Sequence, residues 1–380
     1  ISIYLKLMDF REKWLKTLSE GKNIEPIHLV FVEEPEAHLH AQAQQVFVKK
    51  AFEALCNNHV IKEHPWLKTQ LVLSTHSNHV VNELDLNCMR YFRRVMDAGD
   101  KIPISNVINL SSTFGSDGET EQFVTRYIRL THCDIFFADA VILVEGPAEK
   151  ILVPSFLTKA DLDSYYISVI EVNGRHAHSF RSLIDKIGIP TLIVTDIDAT
   201  ETTIADDGKE KQVSVITTKG KGYKTGNPSV QNWLPGKVLI DDLMALEGKE
   251  KTVDNVRIAF QTPISVKWNK EKEEYTEICP YTFEDALIFT NLELFRQDDL
   301  KKMGTITTIA NLLKKYTSAV DLQKAIFAKL ESKGSFKKAD FAISLLYKKD
   351  FYEIAAPKYI QEGLEWMKKC LDTNGISDGK

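Results

Sequence analysis

The chain has 380 residues, enough for two to three domains at roughly 100–200 residues each. Apolar residues make up 43% and charged residues 27%, an ordinary balance for a soluble globular chain with sizeable cores, and no run of 18 apolar residues occurs, which excludes an apolar membrane-spanning helix. Five scattered cysteines (Cys56, Cys88, Cys133, Cys279, Cys370) without a CxxC pair argue against a disulfide framework or a zinc site and suit a reducing cytoplasm. The net charge of −5 gives no global sign of nucleic-acid binding, yet residues 301–350 hold eleven lysines and four acids. Such a stretch reads either as phosphate contact or as a solvated helical surface.

In chain order, residues 1–18 place apolar side chains at helical spacing, and this N-terminus, which lacks the features of a signal peptide, reads as beginning mid-domain. IHLVFVEE (27–34) predicts a buried strand, HAQAQQVFVKKAFEAL a helix, and QLVLSTHS (70–77) a second strand followed by a short helix. MRYFRRVMD and PISNVINLS predict two further strands joined by a Gly-Asp turn. The polar, turn-rich run 111–122 marks a domain boundary, and 123–139 predicts a connecting helix. AVILVEG (140–146), YYISVIEV (165–172) and PTLIVTDID (190–198) alternate with helices over PAEKILVPSFLTKA and SFRSLIDKI, the pattern of a parallel sheet with helices on its faces. Residues 199–229 read as a long polar loop and 231–370 as mainly helical; residues 351–380 show only a short amphipathic helix. The expected domains are 1–112, a linker at 113–139, 140–350 with a helical addition, and a tail at 351–380.

LVFVEE (29–34) ends an apolar strand on two acids. A buried strand that ends at a nucleotide can present one carboxylate to the magnesium shell and a second to the attacking water. EEPEAHLHAQAQ (33–44) resembles the Walker B and D-loop run of ABC-type ATPases of the recombination-repair and OLD (overcoming lysogenization defect) groups, and STHS (74–77) stands where that superfamily carries its histidine switch. The resemblance implies that Glu33 holds Mg²⁺ through water, Glu34 polarises the nucleophile and His76 meets the γ-phosphate of ATP. No GxxxxGK[ST] phosphate loop occurs, so the resemblance implies the trailing half of an ATPase domain, unable to hydrolyse ATP by itself and completed in a longer, dimeric protein.

AVILVEGPAEK places Glu145 at a strand end, Gly146 at the turn, Pro147 at the first helical position and Glu149 in the first helical turn. LIVTDID places Asp196 and Asp198 two apart, so an extended backbone directs both to one face. Clustered carboxylates at the carboxyl ends of parallel strands repel one another. A divalent cation relieves that repulsion, and hard oxygen ligands select Mg²⁺ or Mn²⁺.

The paired ExG and DxD strands resemble the Toprim fold of topoisomerases, primases and OLD nucleases, and VNGRHAHSFRSLIDKIGIPTLIVTDID and NPSVQNWLPG resemble the OLD family in particular. That resemblance implies an α/β chain: the C-terminal half of an ABC ATPase followed by a Rossmann-like Toprim domain with a parallel central sheet. YTFEDAL (281–287) stands where OLD nucleases carry another metal-binding acid, which implies Glu284, with Asp285 as the neighbouring choice. KKADFA implies Lys338 as a catalytic lysine beside Glu145 and Asp196, with Lys333 as the fallback. His176 and His178 read as turn or substrate-contact residues, since no carboxylate or cysteine partner accompanies them.

The implied activity is two-metal cleavage of DNA by a bacterial cytoplasmic enzyme of phage defence or DNA repair, a homodimer or larger homo-oligomer with a possible defence partner protein. The competing readings are a topoisomerase- or primase-like Toprim enzyme and a non-catalytic ATP-gated DNA-binding scaffold. The four acids at the ExG and DxD positions speak against the scaffold.

Overall fold

The computed structural model describes residues 2–95, 102–114, 118–204, 208–268, 274–297, 304–332, 334, 336–347 and 351–375. The chain divides into two compact units, Ile1–Phe92 with Val107–Phe137, and Arg93–Asn106 with Ala138–Lys380. No helix among the described residues is long and apolar enough to cross a membrane.

The first stretch runs α1 (Ser2–Ser19), β1 (Ile27–Glu33), α2 (Ala41–Cys56), α3 (His59–Glu63), β2 (Lys68–Ser74), α4 (Asn78–Val81), β3 (Arg90–Val95), β4 (Ile104–Asn109), α5 (Ser111–Phe114) and α6 (Glu119–Thr131). β1 and β2 pair in parallel with Glu33 opposite Ser74, so both strands end side by side. Val30 packs with Leu7 of α1 and with Phe47, Val48, Ala51 and Leu55 of α2, which buries one face of the pair. The helix predicted at 123–139 starts earlier and stops at Thr131; a 3-10 turn over Cys133–Phe136 follows and buries Cys133, Ile135 and Phe136.

The second stretch runs β5 (Ala140–Val144), α7 (Pro147–Lys159), β6 (Ile167–Glu171), α8 (Arg181–Ile187), β7 (Thr191–Val194), β8 (Ala199–Ile204), β9 (Glu210–Ser214), β10 (Lys224–Thr225), α9 (Pro228–Trp233), α10 (Ile240–Ala245), β11 (Thr252–Val253) and β12 (Val256–Ala259). β13 (Ile264–Lys267), β14 (Tyr275–Ile278), α11 (Phe283–Thr290), α12 (Leu292–Phe295), α13 (Gly304–Lys315), α14 (Ala319–Glu331), α15 (Lys338–Leu346) and α16 (Lys358–Gly375) complete it. The central sheet has the order β11-β12-β7-β5-β6; β12, β7, β5 and β6 are parallel and β11 is antiparallel. Ile142, Val144, Leu192 and Val194 pack with Leu152, Val153 and Phe156 of α7 and with Ile360 and Leu364 of α16. Val141 and Leu143, on the opposite side by the two-residue period of a strand, are fully buried too, so the sheet is covered on both faces.

Two expectations need correction and a third an addition. Residues 199–229 are not a loop: β10, β8 and β9 form an antiparallel ribbon, and α9 begins at Pro228. Most ribbon residues are exposed, so the alternation that marks a half-buried strand is missing from their sequence. Residues 231–370 are mainly helical, as expected, but also contain β11 to β14, and β12 is an inner strand of the central sheet. The C-terminal helix is 18 residues long and puts Ile360, Leu364, Met367 and Leu371 into the main core.

α16 approaches the sheet at Gly363, where an added Cβ would stand 2.7 Å from Leu192 Cδ1 and 3.0 Å from Cδ2. Leu192 has no exposed surface into which to retreat. Gly363→Val is therefore expected to destabilise the fold by about 1–3 kcal/mol through overpacking, despite the better helix propensity of valine. A thermal melt of the purified variant checks this; an unchanged or raised midpoint would show that α16 is not seated on β7.

Candidate metal centre

Parallel strands deliver their carboxyl ends to one edge of the sheet, and here β5, β7 and β12 are adjacent. Glu145 follows β5, residues 195–198 follow β7 and Gln261 follows β12. Pro147 opens α7 at its first position, which sets Glu149 in the first turn, 2% exposed.

The carboxylates form two groups that meet at Asp196. In the first, Glu149 and Glu284 are buried, and Glu149 Oε2 and Glu284 Oε1 have no hydrogen-bond partner among the described residues. Lys338, at the start of α15, brings its Nζ within 3.0 Å of Glu284 Oε2 and 3.9 Å of Asp196 Oδ2. Asp196 Oδ1 accepts from Gln261 Nε2 at 2.7 Å and from the Phe283 backbone N–H at 3.0 Å. In the second, Glu145 Oε1 accepts from Thr195 Oγ1, from the Asp196 N–H at 3.3 Å and from Asn227 Nδ2 at 2.8 Å. Asp198 Oδ2 lies 3.0 Å from Arg175 Nε and accepts from Asn227 Nδ2 at 3.1 Å.

The convergence of Asp196 and Asp198 has a different origin from the one expected. β7 ends at Val194, and Asp198 adopts a left-handed backbone with φ of 49°. The two carboxylates are thus placed by a turn, not by the same-face rule of an extended strand. Asp285 is also placed differently. Its Oδ2 accepts from the Tyr281 N–H at 2.7 Å and its Oδ1 from the Thr282 N–H at 2.8 Å, the capping box of α11. Backbone donors therefore engage both of its oxygens, whereas Glu284, one residue earlier, faces Lys338. Lys333 lies outside the described residues.

The electrostatics describe a site short of positive charge. Burial, and then the charge of Glu284, pushes the Glu149 carboxyl up to about 8 against the pull of Lys338. Burial and Glu145 raise Asp198 to about 6, with Arg175 and the Asn227 hydrogen bond opposing. Asp196 is raised well above the ordinary carboxylate range by burial and by Glu145, Asp198 and Glu149, with Lys338 opposing. Burial alone would lower the Lys338 pKa, but Glu284, Asp196 and Glu149 more than reverse this and keep the ammonium charged. Carboxylates that resist ionisation for want of a counter-charge, with orphaned buried oxygens, match the hard all-oxygen donor set of a divalent cation. Among the described residues no three acidic, His or Cys side chains close on one point, so the donors fit in kind without forming a finished cage.

Four side chains in these contacts carry no expectation from the sequence: Thr195, Asn227 and Gln261 hold the carboxylates, and Arg175 neutralises Asp198. Asn-Pro at 227–228 does signal a helix start, and Asn227 Oδ1 accepts from the Ser229 N–H at 2.9 Å. What the other end of the amide faces is not encoded locally. His176 and His178 sit with ring centroids 6.3 Å apart, and His178 Nδ1 contacts the Arg175 carbonyl at 3.0 Å.

In the first unit, Glu34 follows β1 with φ of 42°, and its N–H donates to the Ser74 carbonyl at 3.0 Å. Its Oε1 lies 3.7 Å from His76 Nε2, and both side chains are exposed. Glu33 ends β1 opposite Ser74. The residue that shapes the 75–77 turn is Glu36, whose Oε1 accepts from Thr75 Oγ1 at 2.9 Å and from the His76 N–H at 2.6 Å. Gln44 Oε1 accepts from Ser77 Oγ at 2.7 Å. The sequence reading assigns no role to either Glu36 or Gln44.

Comparison with known proteins places these units. The model of the overcoming lysogenization defect protein-like Toprim domain matches residues 136–198, and that of the AAA ATPase domain matches residues 1–81. Endonuclease GajA of Bacillus cereus strain HuB5-5 is 29% identical over 386 residues, covering 97% of this chain and 52% of that protein. Endonuclease GajA of strain VD045 is 27% identical over 184 residues, covering 48% of this chain and 28% of that protein. The chain thus spans about half the length of the first of these relatives or less of the second. The solved C-terminal region of the Burkholderia pseudomallei OLD protein aligns with 62% of this chain and 99% of its own, at 19% identity and a TM-score of 0.35. That of the Xanthomonas campestris pv. campestris OLD protein covers 65% of this chain and 100% of its own, at 20% identity and a TM-score of 0.35. Residues 136–198 thus match the OLD-like Toprim domain, and residues 1–81, ahead of them, match the AAA ATPase domain.

Proposed function

We propose that the second unit is the catalytic part of a DNA endonuclease that hydrolyses phosphodiester bonds with Mg²⁺ or Mn²⁺. The observation that carries this is the pair of buried acids Glu149 and Glu284, each with an orphaned oxygen, beside Asp196 and Lys338. Glu145, Glu149, Asp196, Asp198 and Glu284 would hold the cations, while Asp285 keeps its capping role. Bound there, divalent ions supply Lewis acidity: they lower the pKa of water and offset charge on the phosphate. Lys338 Nζ neutralises the scissile phosphate once its carboxylate partners have another counter-charge. Lysines of 209–224 and 301–350 hold the DNA backbone without reading bases.

The reading extends to the first unit as part of the ATP-hydrolysing domain of a longer protein, a homodimer or larger homo-oligomer, in which Glu33, Glu34 and His76 face nucleotide and Mg²⁺. Cytoplasmic residence and a role in phage defence or repair, with or without a partner protein, belong to the same proposal. The test is incubation of the chain with supercoiled plasmid in Mg²⁺, Mn²⁺, Ca²⁺ or EDTA. Nicked and linear products with Mg²⁺ or Mn²⁺, absent with EDTA, are expected. Relaxed topoisomers without nicks, or intact plasmid under every condition, would refute the nuclease.

A further inference from the structure

We infer that Asn227 is a positioning residue for the cation site: it ties both acidic turns together and sets where Glu145 and Asp198 point. This rests on the metal-site reading above and adds a residue to it. Asn227 is fully buried. Its Nδ2 lies 2.8 Å from Glu145 Oε1, 2.9 Å from Thr195 Oγ1, 2.8 Å from the Asp196 carbonyl and 3.1 Å from Asp198 Oδ2. Those four acceptors come from the end of β5 and the turn after β7, the two segments that supply Glu145, Asp196 and Asp198.

The direction of the amide is fixed by its other end. Its Oδ1 accepts from the Ser229 backbone N–H, so the oxygen faces the start of α9 and the NH₂ faces the acids. The amide is therefore a donor toward the site and not a ligand in it. An NH₂ has two protons for four acceptors, so the acceptors must stay clustered to share them.

The backbone around Asn227 is clamped to the same turn. The Gly226 N–H donates to the Asp198 carbonyl at 2.8 Å, and Thr225 Oγ1 donates to the Ile197 carbonyl at 2.8 Å. A Cβ at Gly226 would meet Thr200 Cγ2 at 2.8 Å, so this close approach needs glycine. Residues 225–227 thus form a strap across the DxD turn, and the Asn227 amide is the part of it that touches carboxylate oxygens. Groups that orient metal ligands in this way typically change metal affinity about 10–100-fold when lost.

The discriminating variants are Asn227→Ser and Asn227→Ala. Serine is a good helix cap, so it keeps the bond to Ser229, but it is too short to reach the acids. Alanine loses both. Mn²⁺ binding is read by the loss of the free-ion EPR signal, with a Glu149→Gln, Asp196→Asn double variant as the background, and thermal melts in EDTA report folding. The expected result is an N227S chain that melts close to wild type but binds Mn²⁺ about 10–100-fold more weakly. Its cleavage should recover in part as Mn²⁺ is raised, which a loss of stability alone would not produce. N227S binding Mn²⁺ as tightly as wild type, with only N227A impaired, would overturn the inference and leave a helix cap. A wild-type chain that binds no Mn²⁺ above the background would overturn the metal-site reading and this inference with it.

Discussion

Asp196→Asn is expected to reduce divalent-metal-dependent DNA cleavage by at least about 10²–10³-fold, the scale of losing one preorganised electrostatic group, without weakening the metal-free fold. Asparagine has the shape of aspartate, so its oxygen can still accept from Gln261 and the Phe283 N–H. The change removes a charge that burial and the nearby Glu145, Asp198 and Glu149 already disfavour. The melting temperature in EDTA should therefore stay level or rise while nicking disappears. That opposition of stability and activity separates a ligand from a structural carboxylate, whose loss lowers both. If D196N nicks plasmid at the wild-type rate in Mg²⁺, the cations sit elsewhere.

Lys338→Met should act with the opposite sign on stability. The ammonium is the counter-charge for Glu284 at 3.0 Å and stands 3.9 Å from Asp196. Glu284 has no exposed surface, so removing the lysine strands a carboxylate in the core. An unpaired buried polar or charged group costs about 1–3 kcal/mol or more. The lower end applies here, because the lysine side chain is 41% exposed and solvent already screens part of the attraction. K338M should thus melt several degrees lower in EDTA and lose cleavage. Adding Glu284→Gln should restore the melting temperature but not the cleavage. A K338M chain that melts like wild type would mean that Lys338 is a surface charge with no grip on the acids.

Much of the centre was legible because strand ends announce themselves. Glu145 directly follows an apolar run and Asp196 follows one with only Thr195 between, and a parallel sheet brings such ends to one edge. Glu149 was legible through Pro147, which fixes the first helical position and hence the face of the next acid. Glu284 and Asp285 show the limit of that reasoning. They are adjacent acids in the same helical turn, and only the placement of Lys338 and of the Tyr281 and Thr282 amides tells which one faces the site.

What the sequence determined by itself was the set of short-range patterns: apolar strands ending in acids, helix starts, and the family signatures in residues 1–81 and 136–198. Tertiary structure alone decided which polar groups meet. Asn227 reaches Glu145 across 82 positions, Gln261 reaches Asp196 across 65, and α16 seats Gly363 on Leu192. Local sequence fixes backbone torsions and the period of burial, whereas a hydrogen bond between distant segments exists only after both have been packed against a shared core.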